Sequence, residues 1–380
     1  MNATTPSGQA LPVPAPTPSG EASTGRPVLE VRDLTTTFAV RGGDVLAVRS
    51  VSFEVLPGQT VVLLGESGSG KSVTARSVMR LHGGRAKVTG SVTLAGTPLL
   101  ELDEAGMRAV RGARVAMVPQ DPSGSLDPLR RIGAQIAEVL RVHGRADSKS
   151  AARERAVELL RSVGIPDPAR VVDAYPHELS GGMRQRVVIA MAISCDPDVI
   201  IADEPTTALD VTVQAQILEL FAELQERLST ALLMVTHDVG VASDIADVVA
   251  VMYAGSIVEF GPAREVLDTP RHPYTKALLE ALPTPGTPRG ELRAIPGSPP
   301  VAGETFGGCA FAGRCASAVA SCSTAVPPLL EVAPGRKAAC PVLNPVTLTL
   351  PTDGPTDGPT DGPTDLPAAP AGSDLTEVSS

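Results

Sequence analysis

Three short stretches of this chain carry residue types suited to phosphate chemistry. The first, Gly65-Glu-Ser-Gly-Ser-Gly-Lys71-Ser72, fits the phosphate-loop pattern G-x-x-x-x-G-K-[ST]. Glycines at 65, 68 and 70 let the backbone curl until successive N–H groups point at one anion. A following helix would add the positive end of its dipole. Lys71 would reach the β- and γ-phosphates, and the Ser72 hydroxyl would take a position on Mg²⁺. Gly65, Ser67, Gly68, Ser69, Gly70, Lys71, Ser72 and Val73 therefore form the expected cradle for ATP or GTP.

The second stretch is Asp203-Glu204, which closes the apolar run Val199–Ala202. Asp203 there can hold the Mg²⁺ shell, and Glu204 can orient the water that attacks the γ-phosphate. Alone, the pair would read as an ordinary acidic strand end; the loop upstream, in the right order, favours the chemical reading. The third is Leu179-Ser180-Gly181-Gly182-Met183-Arg-Gln-Arg, a hydroxyl and two glycines opening a helix, again a place for phosphate. Gln120 can bond Mg²⁺ or the attacking water through its amide, and His237 can bond the γ-phosphate or serve as a core residue. Asp210, in Ala208-Leu-Asp210, follows the acidic pair at the distance expected of a loop crossing a subunit interface.

The elements that must position these groups alternate. Val61–Leu64 reads as a buried parallel strand with a helix from Val73 to Met79 behind the loop. Val28–Leu34 and Ala47–Val55 alternate as antiparallel strands, with Phe38 between them as either a base-stacking ring or a core residue. Val88–Leu94 is a further strand, Glu101–Val110 a short helix, and Val115–Gln120 a strand ending in a polar side chain. A helical insertion fills about 125–186, through Ile132–Val142, Ser148–Val163 and a capped start near Glu178. Parallel strands return at Val199–Asp203, Ala231–His237 and Val248–Tyr253, with helices near Thr212–Leu228 and Ser243–Asp247. Such alternation predicts an α/β fold, with chemistry at the carboxyl ends of a largely parallel sheet. Because the insertion separates the two anion-binding turns, they are not expected to meet within one subunit. A second subunit placed head-to-tail would bring the Ser180 turn onto its neighbour's γ-phosphate.

Composition bounds the rest. The 380 residues are 43% hydrophobic but only 2% aromatic with no Trp, so the core is aliphatic. A net charge of −10 with no basic block argues against nucleic acid as a main partner. No apolar run reaches the roughly 20 residues a membrane span needs, and the N-terminus has no signal-like segment. The expectation is a cytosolic protein that docks on a membrane partner. Residues 1–27 and the acidic Thr-Asp-Gly-Pro repeat tail, 346–380, are expected to be disordered. Between lie a nucleotide-binding domain, 28–262, and an extension, 263–345. That extension holds Cys309, Cys315, Cys322 and Cys340, separated by five, six and seventeen residues. Four thiolates can hold zinc or an iron–sulfur cluster, although the two-residue spacing common in structural zinc sites is absent. Cys195, after an apolar helix, reads as inert core.

Together the motifs resemble the nucleotide-binding subunits of ABC transporters over roughly 28–262: Walker A, glutamine loop, signature, Walker B, D-loop and switch histidine occur in order. The resemblance implies a phosphate-loop NTPase (RecA-like) core with an antiparallel β subdomain and a helical subdomain. It implies Glu204 as catalytic base, His237 and Gln120 as its partners, and Phe38 against adenine. Ser72, Gln120 and Asp203 would hold Mg²⁺, and Ser180, Gly181, Gly182 and Asp210 would face a partner's ATP. Gln120-Asp-Pro-Ser-Gly-Ser-Leu-Asp-Pro, Met183 after the signature, Pro-Thr-Thr after Glu204, and His272-Pro-Tyr-Thr-Lys-Ala-Leu-Leu are similar to the dipeptide/oligopeptide permease group, D-type rather than F-type. This implies an F-type ATPase partner, two integral membrane permease subunits and an extracytoplasmic substrate-binding protein, with the chain on the cytoplasmic face of the membrane. Nickel and glutathione importers use similar ATPases. The family's extension carries such a cysteine set, and some members bind a [4Fe-4S] cluster there, with zinc the alternative. A soluble ABC ATPase acting on DNA or ribosomes, and a regulatory metal-binding module on the same fold, are the rival readings. The acidic balance opposes the first and the intact catalytic set opposes the second.

Overall fold

The computed structural model describes residues 25–41, 43–84, 86–207, 209–281, 294–301, 303–340 and 342–343. The segments expected to be disordered, nearly all of 1–27 and the whole of 346–380, lie outside them, as does Ala208.

Strands β1 (Leu29–Val40) and β2 (Gly43–Val55) pair antiparallel. Strand β1 runs well past Leu34 because bulges between Val31 and Thr37 break the alternation that marks a strand in sequence. Phe38 therefore sits within β1 rather than between strands. Next come β3 (Thr60–Leu64), the phosphate loop and α1 (Lys71–Val78). Strands β4 (Ala86–Leu94) and β5 (Thr97–Pro98) complete the antiparallel sheet. Helix α2 (Glu104–Val110) begins three residues later than expected, because the Asp103 carboxylate accepts the Gly106 N–H at 2.7 Å and caps it there.

After β6 (Val115–Val118) the insertion forms α3 (Pro122–Ser125), α4 (Ile132–Val142), α5 (Lys149–Ser162), α6 (Pro168–Val171) and α7 (Gly181–Ala192). Ser148 caps α5, at the helix start expected from the sequence. Ser180 caps α7, which opens with Gly181 and Gly182 as expected, while Glu178 closes a separate 3-10 turn by accepting the Tyr175 N–H. Then β7 (Val199–Asp203), α8 (Val211–Leu228), β8 (Ala231–Thr236), α9 (Val239–Ile245) and β9 (Val248–Tyr253) alternate. Helix α9 starts earlier than Ser243 because Asp238 caps it through the Gly240 and Val241 N–H groups. The chain ends in β10 (Ser256–Pro262), α10 (Ala263–Asp268), α11 (Pro273–Glu280), β11 (Leu330–Ala333) and β12 (Arg336–Ala338).

Among the described residues the large sheet has the order β11-β12-β10-β9-β3-β8-β7-β6, parallel from β9 to β6. Strand β3 lies inside it and is fully buried, as an unbroken aliphatic run requires. Its alternating side chains serve two cores. Val61 and Leu63 pack toward the antiparallel sheet with Ile201, Leu233 and Val235, whereas Val62 and Leu64 join the helices with Ala202, Met234 and Phe221. All the parallel strands therefore present their carboxyl ends to one edge.

The extension is sewn into this sheet. Strand β12 pairs with β10, and the fully buried Glu259 carboxylate of β10 accepts the Arg271 and His272 N–H groups and Arg336 Nη2, each at 2.8 Å. Neither added strand was visible in the Pro-rich sequence, since each is only three or four residues long. His272, 1% exposed, caps α11 by accepting the Tyr274 N–H at Nδ1. Burial pushes its pKa down to about 4, against the pull of a bond to the Ala339 backbone.

A depressed histidine pKa means that the unfolded chain binds the proton that the native chain refuses. Stability is therefore whole above the unfolded value of roughly 6.5 and falls as pH drops toward 4. Between pH 7 and 4.5 this site should cost about 2–3 kcal/mol. Denaturant titrations of wild type and His272→Asn, which keeps a capping oxygen but cannot titrate, should differ in pH slope by that amount. Parallel slopes would remove His272 as the cause.

Candidate active site

The phosphate loop leaves the carboxyl end of β3 and wraps the start of α1. Gly65 has φ 155°, and a Cβ there would stand 2.3 Å from the Met252 carbonyl oxygen; Gly70 has φ 100°, and its Cβ would stand 2.8 Å from that of Ala47. No larger residue could hold this curl without moving the flanking strands. Lys71 is buried, and its Nζ donates to the Gly65 and Glu66 carbonyls at 2.8 Å each. Burial lowers its pKa, while the charges of Glu204, Asp203 and Glu66 pull it back up. Ser72 Oγ donates to Asp203 Oδ1 at 2.6 Å, and Asp203 is fully buried, with Arg76 at 3.3 Å from its other oxygen. A hydroxyl beside a buried carboxylate is a hard-oxygen pair that suits Mg²⁺.

Glu204 is the hub of the second group. Its φ of 48° places it in the left-handed region, a strained setting for a non-glycine residue that its bond to the Val235 carbonyl fixes. Gln120 Nε2 donates to Glu204 Oε2 at 2.8 Å, Thr207 Oγ1 donates to the same oxygen at 3.0 Å, and His237 Nδ1 stands 3.1 Å from Oε1. These residues and the phosphate loop line one cavity of about 840 Å³. That space suits a nucleotide.

Not every expected residue is brought there. Ser67, Gly68, Gly70, Lys71, Ser72, Val73, Gln120, Glu204 and His237 line the cavity, while Gly65, Ser69 and Asp203 lie in the layer beneath. Ser180, Gly181, Gly182 and Asp210 stand apart from it: Ser180 and Gly181 are exposed, and Gly182 packs against Val213 in the first turn of α8, which Asp210 caps. Phe38 also lies off the cavity wall, its ring edge-on to His82 at 5.2 Å between centroids.

The sequence did not reveal what the extension does here. Phe306, Val301 and Gly303 line the cavity beside Leu46, Ala47 and Arg49 of β2. Arg314, next to Cys315, forks onto Glu66 of the phosphate loop at 2.8 and 3.2 Å and reaches the Tyr253 hydroxyl. The Glu66 carboxylate raises the Arg314 pKa further still. Tyr274 Oη accepts the Glu66 N–H at 2.8 Å. An Arg beside a Cys and a Glu inside the loop pattern were the only signals, some 248 positions apart.

The four extension cysteines are free. Burial pushes the Cys309 thiol up, and the thiols of Cys322, Cys340 and Cys315 add to it; burial also raises Cys315, with Cys340 and Cys322 contributing. The Cys309 N–H donates to the Cys322 carbonyl at 2.7 Å. Among the described residues no three His, Cys, Asp or Glu side chains converge as ligands of a single metal ion.

Residues 48–207 match the ABC transporter family, and residues 258–322 match the C-terminal region of oligopeptide/dipeptide transporters. The chain is 51% identical over 320 residues to a Brucella melitensis protein named as a peptide import ATP-binding protein, covering 81% of this chain and 94% of that one. The chain belongs to the ATP-binding subunits of dipeptide/oligopeptide ABC transporters. A dipeptide transport ATP-binding protein of Lactococcus lactis is 48% identical over 319 residues, covering 84% of this ABC subunit and 91% of its own length. A dimeric ATP-binding cassette, MJ0796, in a post-hydrolysis state bound to ADP and Pi superposes with TM-score 0.56 at 28% identity, over 62% of this chain and 99% of that one. CbiO1 from Clostridium perfringens superposes with TM-score 0.54 at 25% identity, over 64% and 91%. This ABC subunit is an ATPase, and its α/β core is that of the phosphate-loop NTPases. Among the described residues no helix is long and apolar enough to cross a membrane.

The Arg314–Glu66 pair lets the extension steady the phosphate loop. Both side chains are largely sheltered, at 8% and 24% exposed, so the fork is only weakly screened. Arg314→Ala should cost about 2–3 kcal/mol in denaturant unfolding, with Arg314→Lys restoring only part of it because a single ammonium cannot replace the fork. A loss below about 0.5 kcal/mol would mean that the pair is no better than a surface contact.

Proposed function

We propose that this ABC ATPase powers the import of dipeptides or oligopeptides, hydrolysing ATP in a head-to-tail pair of ATPase subunits beneath two membrane permease subunits. One observation carries the reading: the phosphate loop, Gln120, Glu204 and His237 share one cavity, while the Ser180 turn stands exposed and away from it. Each half of the machinery is complete in itself, but only a second subunit can unite them. The 84% span shared with a dipeptide transport ATP-binding protein supports peptide as cargo over nickel or glutathione.

In this scheme the loop N–H groups and Lys71 take the β- and γ-phosphates. Ser72, Asp203 and Gln120 would hold Mg²⁺, which would neutralise charge on the phosphate oxygens. Glu204 accepts the proton of the attacking water. Its carboxylate is already aimed by Gln120, Thr207 and His237, so little reorganisation is left for the reaction itself. His237, 3.1 Å from Glu204 Oε1, steadies that carboxylate and would bond the γ-phosphate. The Ser180 hydroxyl and the glycine N–H groups of the neighbour close over the same phosphate, with Asp210 at the seam. A groove of about 390 Å³ on the insertion, lined by Arg130, Arg131, Ala134, Glu138 and Arg153, offers the permease a place to bear on. The chain would then sit peripherally on the cytoplasmic face, with an F-type ATPase as the second subunit and a substrate-binding protein delivering cargo outside. The domain limits are taken as 28–262 and 263–345.

Cys309, Cys315, Cys322 and Cys340 are proposed to hold a [4Fe-4S] cluster. The thiols sense one another electrostatically yet do not meet around one point. Four thiolates are the ligand set that such a cluster would need. Such a cluster would supply structural cross-linking and electron storage.

Lys71→Ala should abolish ATP binding, whereas Glu204→Gln should bind ATP and lose turnover by roughly a hundredfold or more, read by calorimetry and phosphate release. Turnover retained in Glu204→Gln would reject its role as base. Protein purified without oxygen should contain iron and acid-labile sulfide in equal amounts and lose both in Cys322→Ser. Zinc in their place would overturn the cluster.

A further inference from the structure

The wall of the nucleotide cavity beside Gly70 and Gly255 is built from two distant parts of the chain. Ala47 and Arg49 of β2 form one side, and Val301, Gly303 and Phe306 of the extension form the other. The extension is seated there by packing: a Cβ on Gly303 would stand 3.2 Å from Val45 Cγ1. Phe306 supplies the only phenyl ring among the described lining residues, and it is half-buried, so part of the ring faces the cavity. Arg49 holds that ring in place. Its guanidinium lies over the phenyl ring, 5.4 Å from the centroid. It is pinned from behind by bonds to the Ala254 carbonyl at 3.1 Å and to the Glu304 carbonyl.

A nucleoside triphosphate has two parts with opposite needs. The phosphates require N–H groups and cations, which the loop and Lys71 supply. The base requires a flat apolar surface, and the neighbouring wall is apolar apart from the guanidinium. Phe38, the aromatic residue of β1, is turned onto His82 and does not line this wall. We propose that Phe306, clamped by Arg49, is the platform on which the nucleobase stacks, so that the C-terminal extension contributes directly to ATP affinity. This rests on the ATP-binding reading given above.

The test separates base from phosphate. Binding of ATP and of inorganic tripolyphosphate, each with Mg²⁺, is measured by calorimetry on the full chain carrying Phe306→Ala, Phe306→Tyr or Phe38→Ala. Stacking on an aromatic ring predicts that Phe306→Ala weakens ATP roughly tenfold, leaves tripolyphosphate unchanged, and is rescued by Phe306→Tyr. Unchanged tripolyphosphate binding also reports that the variant is folded. Equal loss of both ligands, loss of neither, or an ATP-only loss in Phe38→Ala but not in Phe306→Ala would overturn the proposal. Failure of the wild type to bind either ligand would instead overturn the ATPase reading on which it stands.

Discussion

Everything in this fold answers to the concentrated negative charge of a triphosphate. Neutralising it demands N–H groups, an ammonium and a metal within a few ångströms, and that demand fixes where each strand must end. Strand β3 delivers the loop, β7 delivers Asp203 and Glu204, and β8 delivers His237, all at one edge because these strands are parallel. Gly65 and Gly70 leave no room there for a side chain, pressed as they are against the Met252 and Ala47 carbonyls. The aliphatic cores on both faces of β3 make that edge rigid, since a strand buried on both sides has little room to shift.

The extension is bound up with the same constraint. Glu259 and Arg336 fasten it to the sheet, Arg314 grips Glu66 inside the phosphate loop, and Phe306 meets the wall of the nucleotide cavity. Cys315 directly follows Arg314 in the chain, which gives the cysteine-bearing segment a short mechanical route to the phosphate loop. An appendage joined only through a linker would have none of these contacts.

The catalytic half of the site was legible from sequence because phosphate chemistry permits few residue types at fixed spacings. Lys71, Ser72, Gln120, Asp203, Glu204 and His237 gather at one edge of the sheet, since the phosphate loop and the other residues leave the carboxyl ends of neighbouring strands there. Arg49, Arg314 and Phe306 were not legible, because they reach the site through tertiary packing across long stretches of chain and no local pattern marks them. Phe38 shows the converse. Its place along the chain suggested base stacking, but side-chain direction within β1 carries its ring to His82 instead. Helix limits slipped where a cap decided them, as Asp103 and Asp238 do for α2 and α9.

The central claim is that one ATP is gripped by Lys71 of one subunit and by the Ser180 turn of another. Ser180→Arg tests it most directly, by comparing ATP affinity of the isolated chain with ATP turnover of the two-ATPase assembly. The account predicts unchanged affinity, because Ser180 lies outside this chain's own cavity, together with loss of half or more of the turnover. Turnover that survives undiminished would contradict it.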